Sequence, residues 1–188
     1  MVNRLLLSLS LTGVAAVAPA QDMPFERVWK TGGLATPESV IYAPQLDAFL
    51  VANINAGAPN AEDGDGYIAR LSLDGTLDPD PFTRGLDAPK GMAIKDGHLY
   101  VADFNDLVEI DLATGEILAR HHFAEAEFLN DVTVTPDGEV LVSDMNRVEI
   151  RELTEDGLAL WKDGEGLGGT INGVLAEPEH LLALTGRG

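Results

Sequence analysis

Apolar and polar residues of this chain alternate with a period of two over short stretches, and no helical apolar stripe of convincing length is present. The clearest stretch covers residues 128–144, FLNDVTVTPDGEVLVSD. Val132 and Val134 alternate there with threonines, as in a half-buried strand, and Asp137-Gly138 supplies the positive-φ residues of a hairpin turn. A second apolar run follows the turn. The pattern predicts two strands joined by a tight turn and, over the whole chain, an all-β fold.

The same unit of two strands occurs four times. Its copies lie at residues 37–53 (PESVIYAPQLDAFLVAN), 89–103 (PKGMAIKDGHLYVAD), 128–144 and 171–185 (INGVLAEPEHLLALT). Their first apolar residues stand 52, 40 and 42 residues apart, at Val40, Met92, Val132 and Val174. Repeats of roughly 40–45 residues built from strands are typical of β-propeller blades. We therefore predict a propeller whose blades start near residues 37, 89, 129 and 171.

Further predictions concern the strands around blade one and the end of the fourth unit. Residues 21–30 contain an apolar pattern that predicts a strand before the first blade, and Asp74-Gly75 predicts a turn into a weak fourth strand of blade one. The fourth unit stops at Gly188, just after its second strand. Because half a blade leaves sheet edges unpaired, we expect that the sequence is a fragment with about four blades of a larger ring. A complete four-bladed ring is the alternative.

The first 20 residues predict a secretory signal peptide, which leaves residues 21–188 as the propeller. Arg4 begins it, Leu5 to Val17 form its apolar centre, and Ala18-Pro19-Ala20 resembles a cleavage site. The chain contains no cysteine, which excludes disulfides, thiolate metal sites and a cysteine nucleophile. Export without disulfides indicates the bacterial periplasm. No membrane association is expected once the signal peptide has been removed.

The formal net charge of −19 argues against nucleic acid or an anionic membrane as a partner. It is compatible with a bound hard cation, although a solvated acidic surface explains the same total charge.

The positions two residues before each repeat anchor are candidates for a shared central site. They are occupied by Glu38, Lys90, Asn130 and Asn172. The innermost strands of propeller blades line one channel, so these side chains are expected to converge. One carboxylate and two amide oxygens are hard donors that suit Ca²⁺ or another hard cation. The alternative is that each asparagine precedes its strand for turn reasons, by bonding its own backbone.

Lys90 stands at the same position in blade two. If its ammonium points inward, it repels a metal or binds an anionic substrate; the alternative is that it bends outward into solvent. Asp103, Asp131 and Asp144 lie near the same end of the strands, either supporting the site or forming strand-end turns. His121 and His122 are adjacent, so in a strand they face opposite sides and do not chelate one metal.

At these residues the chain resembles the gluconolactonase, regucalcin (senescence-marker-protein) and LRE-like family of six-bladed propellers. The resemblance rests on the order and spacing of PESV, PKGMA, LYVAD, LNDV and INGV. It implies that Glu38, Asn130 and Asn172 are metal ligands and that a catalytic Asp lies beyond Gly188. The implied cofactor is Ca²⁺ or another divalent cation, such as Zn²⁺, Mg²⁺ or Mn²⁺.

The resemblance implies hydrolysis of sugar-type lactones or related esters, with a small molecule as substrate and with Lys90 and Asp131 as candidate substrate-binding residues. A bound metal of this kind polarises the carbonyl and activates water. The alternative is a non-catalytic periplasmic propeller that binds a small ligand or a protein partner, since one fold hosts many functions.

Overall fold

The computed structural model describes residues 26–55, 58–166 and 169–186. Within these ranges the chain forms 14 strands and no helix. Blade one contains β1 (Pro37–Ala43), β2 (Ala48–Asn53), β3 (Gly66–Ser72) and β4 (Thr83–Leu86). Blade two contains β5 (Pro89–Lys95), β6 (His98–Asp103), β7 (Asp106–Asp111) and β8 (Ile117–His122). Blade three contains β9 (Leu129–Val134), β10 (Val140–Asp144), β11 (Glu149–Thr154) and β12 (Gly157–Asp163). The fourth unit contains β13 (Thr170–Ala176) and β14 (Leu181–Gly186).

Each of the first three blades is an antiparallel meander of four strands in chain order, and β13 and β14 form a two-stranded sheet. The first strand of every unit is the innermost one. Contacts run from β1 to β5, from β5 to β9 and from β9 to β13. The four sheets are therefore arranged around the inner strands, as the repeat predicts.

Apolar side chains pack between successive blades in three separate clusters. The clusters are represented by Leu50 with Met92, by Leu107 with Val132, and by Leu141 with Val174. The repeat anchors of blades two, three and four are thus buried against the preceding blade. Val40, the anchor of blade one, is 64% exposed because no preceding blade covers it in the described structure. Leu184 of the fourth unit is 67% exposed at the other end. These open faces fit a partial propeller.

Two strand predictions for blade one differ in part from the structure. Of the strand predicted at residues 21–30, residues 21–25 lie outside the described residues and residues 26–30 form no strand. Instead Trp29 packs against Phe49 of blade one, and its indole Nε1 donates a hydrogen bond to the carbonyl oxygen of Leu73, 3.0 Å away. The fourth strand of blade one does not follow Asp74-Gly75 directly, because only an isolated bridge forms at Leu77 before the strand at residues 83–86. The predicted signal peptide lies outside the described residues. In the described part of the chain, no helix is long and apolar enough to cross a membrane.

Candidate functional site

A cavity of about 180 Å³ lies where the inner strands of all four units meet. Its lining residues are Glu38, Ser39, Gly91, Asn130, Asp131, Asn172 and Gly173. The structure therefore brings together the three residues that were predicted as metal ligands, although they are more than 130 residues apart at the extremes. A larger cavity of about 290 Å³ lies on the open face of blade one and is mainly apolar. The smaller cavity is the candidate site because carboxylate and amide side chains line it.

The site residues lie in irregular positions of the inner strands. The pairing with the neighbouring strand shifts register between Pro37 and Ser39, between Pro89 and Met92, between Leu129 and Val132, and between Ile171 and Gly173. Each shift contains the residue that stands two places before the repeat anchor. Bulges of this kind re-aim side chains and are common next to active sites. The same local irregularity thus repeats in all four units, and Glu38, Asn130 and Asn172 line the cavity from three of them.

Asn130 is the most informative member of the site. Its side chain lines the cavity and is only 5% exposed, yet it forms no hydrogen bond with any of the residues that the structure describes. Buried polar side chains nearly always have a partner, which is often water or a ligand when no protein group is available. Among the described residues, Nε of Arg151 is the one buried side-chain N or O atom without a partner, so the amide atoms of Asn130 are open to the cavity, where a polar ligand or an ion can bond to them.

Glu38 and Asn172 form the more accessible side of the cavity. The Nδ2 of Asn172 donates to the sulfur of Met145 at 3.8 Å. Glu38 is exposed as a residue, but partial withdrawal of its carboxyl from water raises its pKa; the positive charge of Lys90 opposes this and the negative charge of Asp131 adds to it. A cation in the cavity would relieve the repulsion between the two carboxylates.

Asp131 lies in the wall between three inner strands. Its Oδ1 accepts a hydrogen bond from the amide of Val132 at 2.9 Å, and its Oδ2 accepts one from the amide of Val174 at 2.8 Å. Burial raises the pKa of Asp131, and these two backbone donors oppose the rise. A Cβ atom on Gly91 would stand 2.1 Å from Oδ1 of Asp131. Gly91 is therefore required for the close approach of the inner strands of blades two and three.

Lys90 is buried and does not line the cavity. It is 1% exposed, so the alternative that it extends into solvent is wrong, and it is absent from the cavity lining. Its Nζ donates to the carbonyl oxygen of Ala88 at 2.7 Å and lies 4.4 Å from the ring centroid of Phe128. Burial lowers the pKa of Lys90 to about 8, although the charges of Asp103 and Glu38 favour its protonated form.

The Asn or Asp that ends the second strand of each of the first three blades has a structural role. Asp103 accepts hydrogen bonds from the amides of Asp87 and Ala88, at 2.9 and 2.7 Å, and pairs with Arg120 at 3.2 Å. Asp144 likewise accepts from the two residues before β9, and Asn53 accepts from Ala35 before β1. These side chains hold the segment that leads into each inner strand. Of the two alternatives for Asp103 and Asp144, this favours the strand-end role.

The remaining candidates form no second site. His121 faces Glu109 while His122 faces Asp106, in agreement with their predicted opposite orientation. Among the described residues, no group of three or more His, Cys, Asp or Glu side chains is arranged to hold a metal ion. A metal in the central cavity therefore needs the amide oxygens of the asparagines as well as the carboxylates.

Three cavity residues were missed by the sequence analysis: Ser39, Gly91 and Gly173. All stand one place before a repeat anchor, at the same position as Asp131. The small residues at three of these four positions were the feature of the sequence from which these cavity residues could have been predicted. Ser39 donates from Oγ to the carbonyl oxygen of Lys90 at 2.5 Å, which joins the inner strands of blades one and two.

No protein-family profile matches the sequence. No curated protein matches it either. Solved structures that resemble the chain include a gluconolactonase from Xanthomonas campestris, 19% identical with a TM-score of 0.60 over 81% of this chain and 55% of that one. A streptogramin B lyase is 12% identical with a TM-score of 0.61 over 85% of this chain and 51% of that one. The WD40 β-propeller domain of Doa1 is 16% identical with a TM-score of 0.58, over 79% and 47%.

These structures confirm the predicted fold, a β-propeller of which this chain contains about four blades. At identities below 25% they show the fold alone. The chain spans about half the length of the three structures, and the number of blades in a complete ring stays a prediction.

Proposed function

We propose that this chain carries the metal-binding part of a propeller enzyme that uses a divalent cation to hydrolyse sugar-type lactones or related esters. The observation that carries the proposal is the convergence of Glu38, Asn130 and Asn172 on one small polar cavity. The gluconolactonase among the similar structures adds support at the level of the fold.

The residues fit a hard cation. Glu38 offers a negative charge, and Asn130 and Asn172 offer neutral amide oxygens, which are the ligand types that Ca²⁺ and Mg²⁺ prefer. Asn130 is 5% exposed, and its amide lines the cavity without a hydrogen bond to the described residues. Because it is held by a strand rather than by a loop, it needs little ordering when a ligand binds.

A divalent cation supplies Lewis-acid polarisation of the substrate carbonyl and lowers the pKa of water. The tasks of this chain are to hold that cation, to leave room for substrate and to exclude competing charges. Asp131 occupies the space beside Gly91 and Gly173, and Lys90 keeps its ammonium on the carbonyl oxygen of Ala88, outside the cavity lining. We assign the proton acceptor of the reaction to no described residue.

The fold alone does not determine the function, because the streptogramin B lyase and the WD40 domain have similar propellers and different names. The chemistry must therefore be tested at the cavity. A non-catalytic propeller is the competing outcome.

Calorimetric titration of the full chain with CaCl₂ tests the cavity. We expect binding with a Kd in the range of roughly 10⁻⁶ to 10⁻³ M for a partly open site. Asn130→Ala should weaken binding at least tenfold, and Asn146→Ala, at an exposed turn, is the matched control. Absence of binding at millimolar calcium, or binding that survives both Asn130→Ala and Asn172→Ala, would overturn the assignment.

The reaction class is tested separately, with an aldonolactone at constant pH. In the complete enzyme that carries this metal-binding part, we expect proton release above the spontaneous rate only with a divalent cation, and its loss in Asn130→Ala. Calcium binding without any cation-dependent hydrolysis favours the non-catalytic propeller.

A further inference from the structure

We propose that Asp131 is a positioning residue, which holds the strand that carries Asn172 against the strand that carries Asn130; this role depends on the metal site proposed above. The carboxylate bridges two blades. Its Oδ2 accepts a hydrogen bond from the amide of Val174, two residues after Asn172 in β13. Asp131 itself directly follows Asn130 in β9. One side chain thus joins the backbones next to two of the three candidate ligands.

The surroundings of Asp131 leave it little freedom. Its amide donates to the hydroxyl of Ser143 at 3.0 Å, and its Oδ1 accepts from the amide of Val132 at 2.9 Å. On one side, a Cβ on Gly91 would collide with Oδ1; on the other, a Cβ on Gly173 would stand 3.6 Å from Oδ2. The side chain therefore fills the space left by the glycines of both neighbouring strands, with each carboxylate oxygen bound to a backbone amide.

A second bond crosses the same boundary farther along the strands. The hydroxyl oxygen of Thr133 accepts from the amide of Ala176 at 3.0 Å. Neither of these residues lines the cavity. In both bonds a side-chain oxygen of β9 accepts from a backbone amide of β13, but only the bond of Asp131 is adjacent to the candidate ligands. Thr133 and Ala176 therefore provide matched controls.

The consequence concerns the spacing of Asn130 and Asn172. They lie in different sheets, so no ladder hydrogen bond joins their strands, and side-chain bonds to backbone amides take that place. Residues that orient metal ligands from behind typically change metal affinity about 10- to 100-fold when they are removed. Loss of the Asp131 bond should therefore weaken cation binding without removing a ligand.

Two variants separate positioning from direct ligation by Asp131. Asp131→Ala removes the carboxylate, whereas Val174→Pro removes the amide donor and leaves the carboxylate in place. Calcium alone is the calorimetric probe. If Asp131 is a positioning residue, both variants lose about 10- to 100-fold in affinity, while Thr133→Val and Ala176→Pro stay near the wild-type affinity. If Val174→Pro binds like the wild type and Asp131→Ala does not, Asp131 is itself a ligand and the positioning role is wrong.

Thermal unfolding and hydrogen exchange complete the test. Thr133→Val and Asp131→Asn should lower Tm by similar amounts. A difference in calcium affinity between these two variants is therefore not an effect of stability. If the alanine variant fails to fold, Asp131→Val replaces it, because valine also removes both carboxylate oxygens and retains more of the side-chain volume. Exchange at the Val174 amide should accelerate in Asp131→Ala and not in Thr133→Val. If the wild type binds no calcium, the metal site is overturned; unchanged Val174 exchange in Asp131→Ala would overturn the bridge itself.

Discussion

Replacement of Lys90 by methionine should abolish a specific pH dependence of stability. Lys90 is buried, and its pKa falls from the ordinary 10.5 to about 8 because the ammonium is withdrawn from water. Below pH 8 the lysine is protonated in both the folded and the unfolded chain, so the folded state bears the full cost of the buried charge. A shift of this size corresponds to about 3 kcal/mol.

The sign of the effect follows from proton linkage. Between about pH 8 and pH 10.5 the unfolded chain binds more protons at this lysine than the folded chain does, so stability rises with pH. Integration from pH 7 to pH 10 gives a gain of roughly 2–3 kcal/mol in the wild type relative to Lys90→Met. Other titrating groups are common to both proteins and cancel in the difference.

Urea unfolding of both proteins at pH 7, 8, 9 and 10 measures this difference. Methionine retains the unbranched apolar stem and removes the charge. Lys95→Met, at a partly exposed position of the same strand, controls for the loss of one positive charge. A difference between wild type and Lys90→Met that stays constant from pH 7 to pH 10 would refute the assignment of a costly buried ammonium.

Three further changes test the packing around the site. Gly91→Ala places a Cβ 2.1 Å from Asp131 Oδ1 and should destabilise the fold by several kcal/mol in chemical unfolding, roughly 3 or more; Gly32→Ala, with nothing within 4 Å, should be close to neutral. Asp144→Ala removes an acceptor for three backbone amides and should cost about 2–4 kcal/mol; an unchanged urea midpoint contradicts its role. Trp29→Ala removes ring packing and an indole hydrogen bond, so it should lower the free energy of unfolding by about 2 kcal/mol and Tm by several degrees. A Tm equal to that of the wild type would mean that the segment around Trp29 does not support blade one.

Local pattern was sufficient to place the strands and the repeat. Alternation around Val132 and the turn at Asp137-Gly138 depend on neighbours in sequence, and the structure has β9 and β10 at these places. The repeat also placed Glu38, Asn130 and Asn172 at one position of the blade, and the inner strands bring all three to one cavity. A repeated fold makes this inference available, because equal positions in the repeat become equal positions around the ring.

Other properties depend on contacts between blades, which no local pattern encodes. Lys90 has the same place in the repeat as the asparagines, but Phe128 and Ala88 give its ammonium a buried site outside the cavity lining. Asp131 became a bridge only because Val174, 43 residues later, presents a free amide to it across the blade boundary. The alternation and the repeat spacing depend on residues that are close in sequence, so they were sufficient to predict the blades and the positions around the ring. Which side chains face the cavity depends on the space and the hydrogen-bond partners that neighbouring blades supply, so only the folded chain shows it.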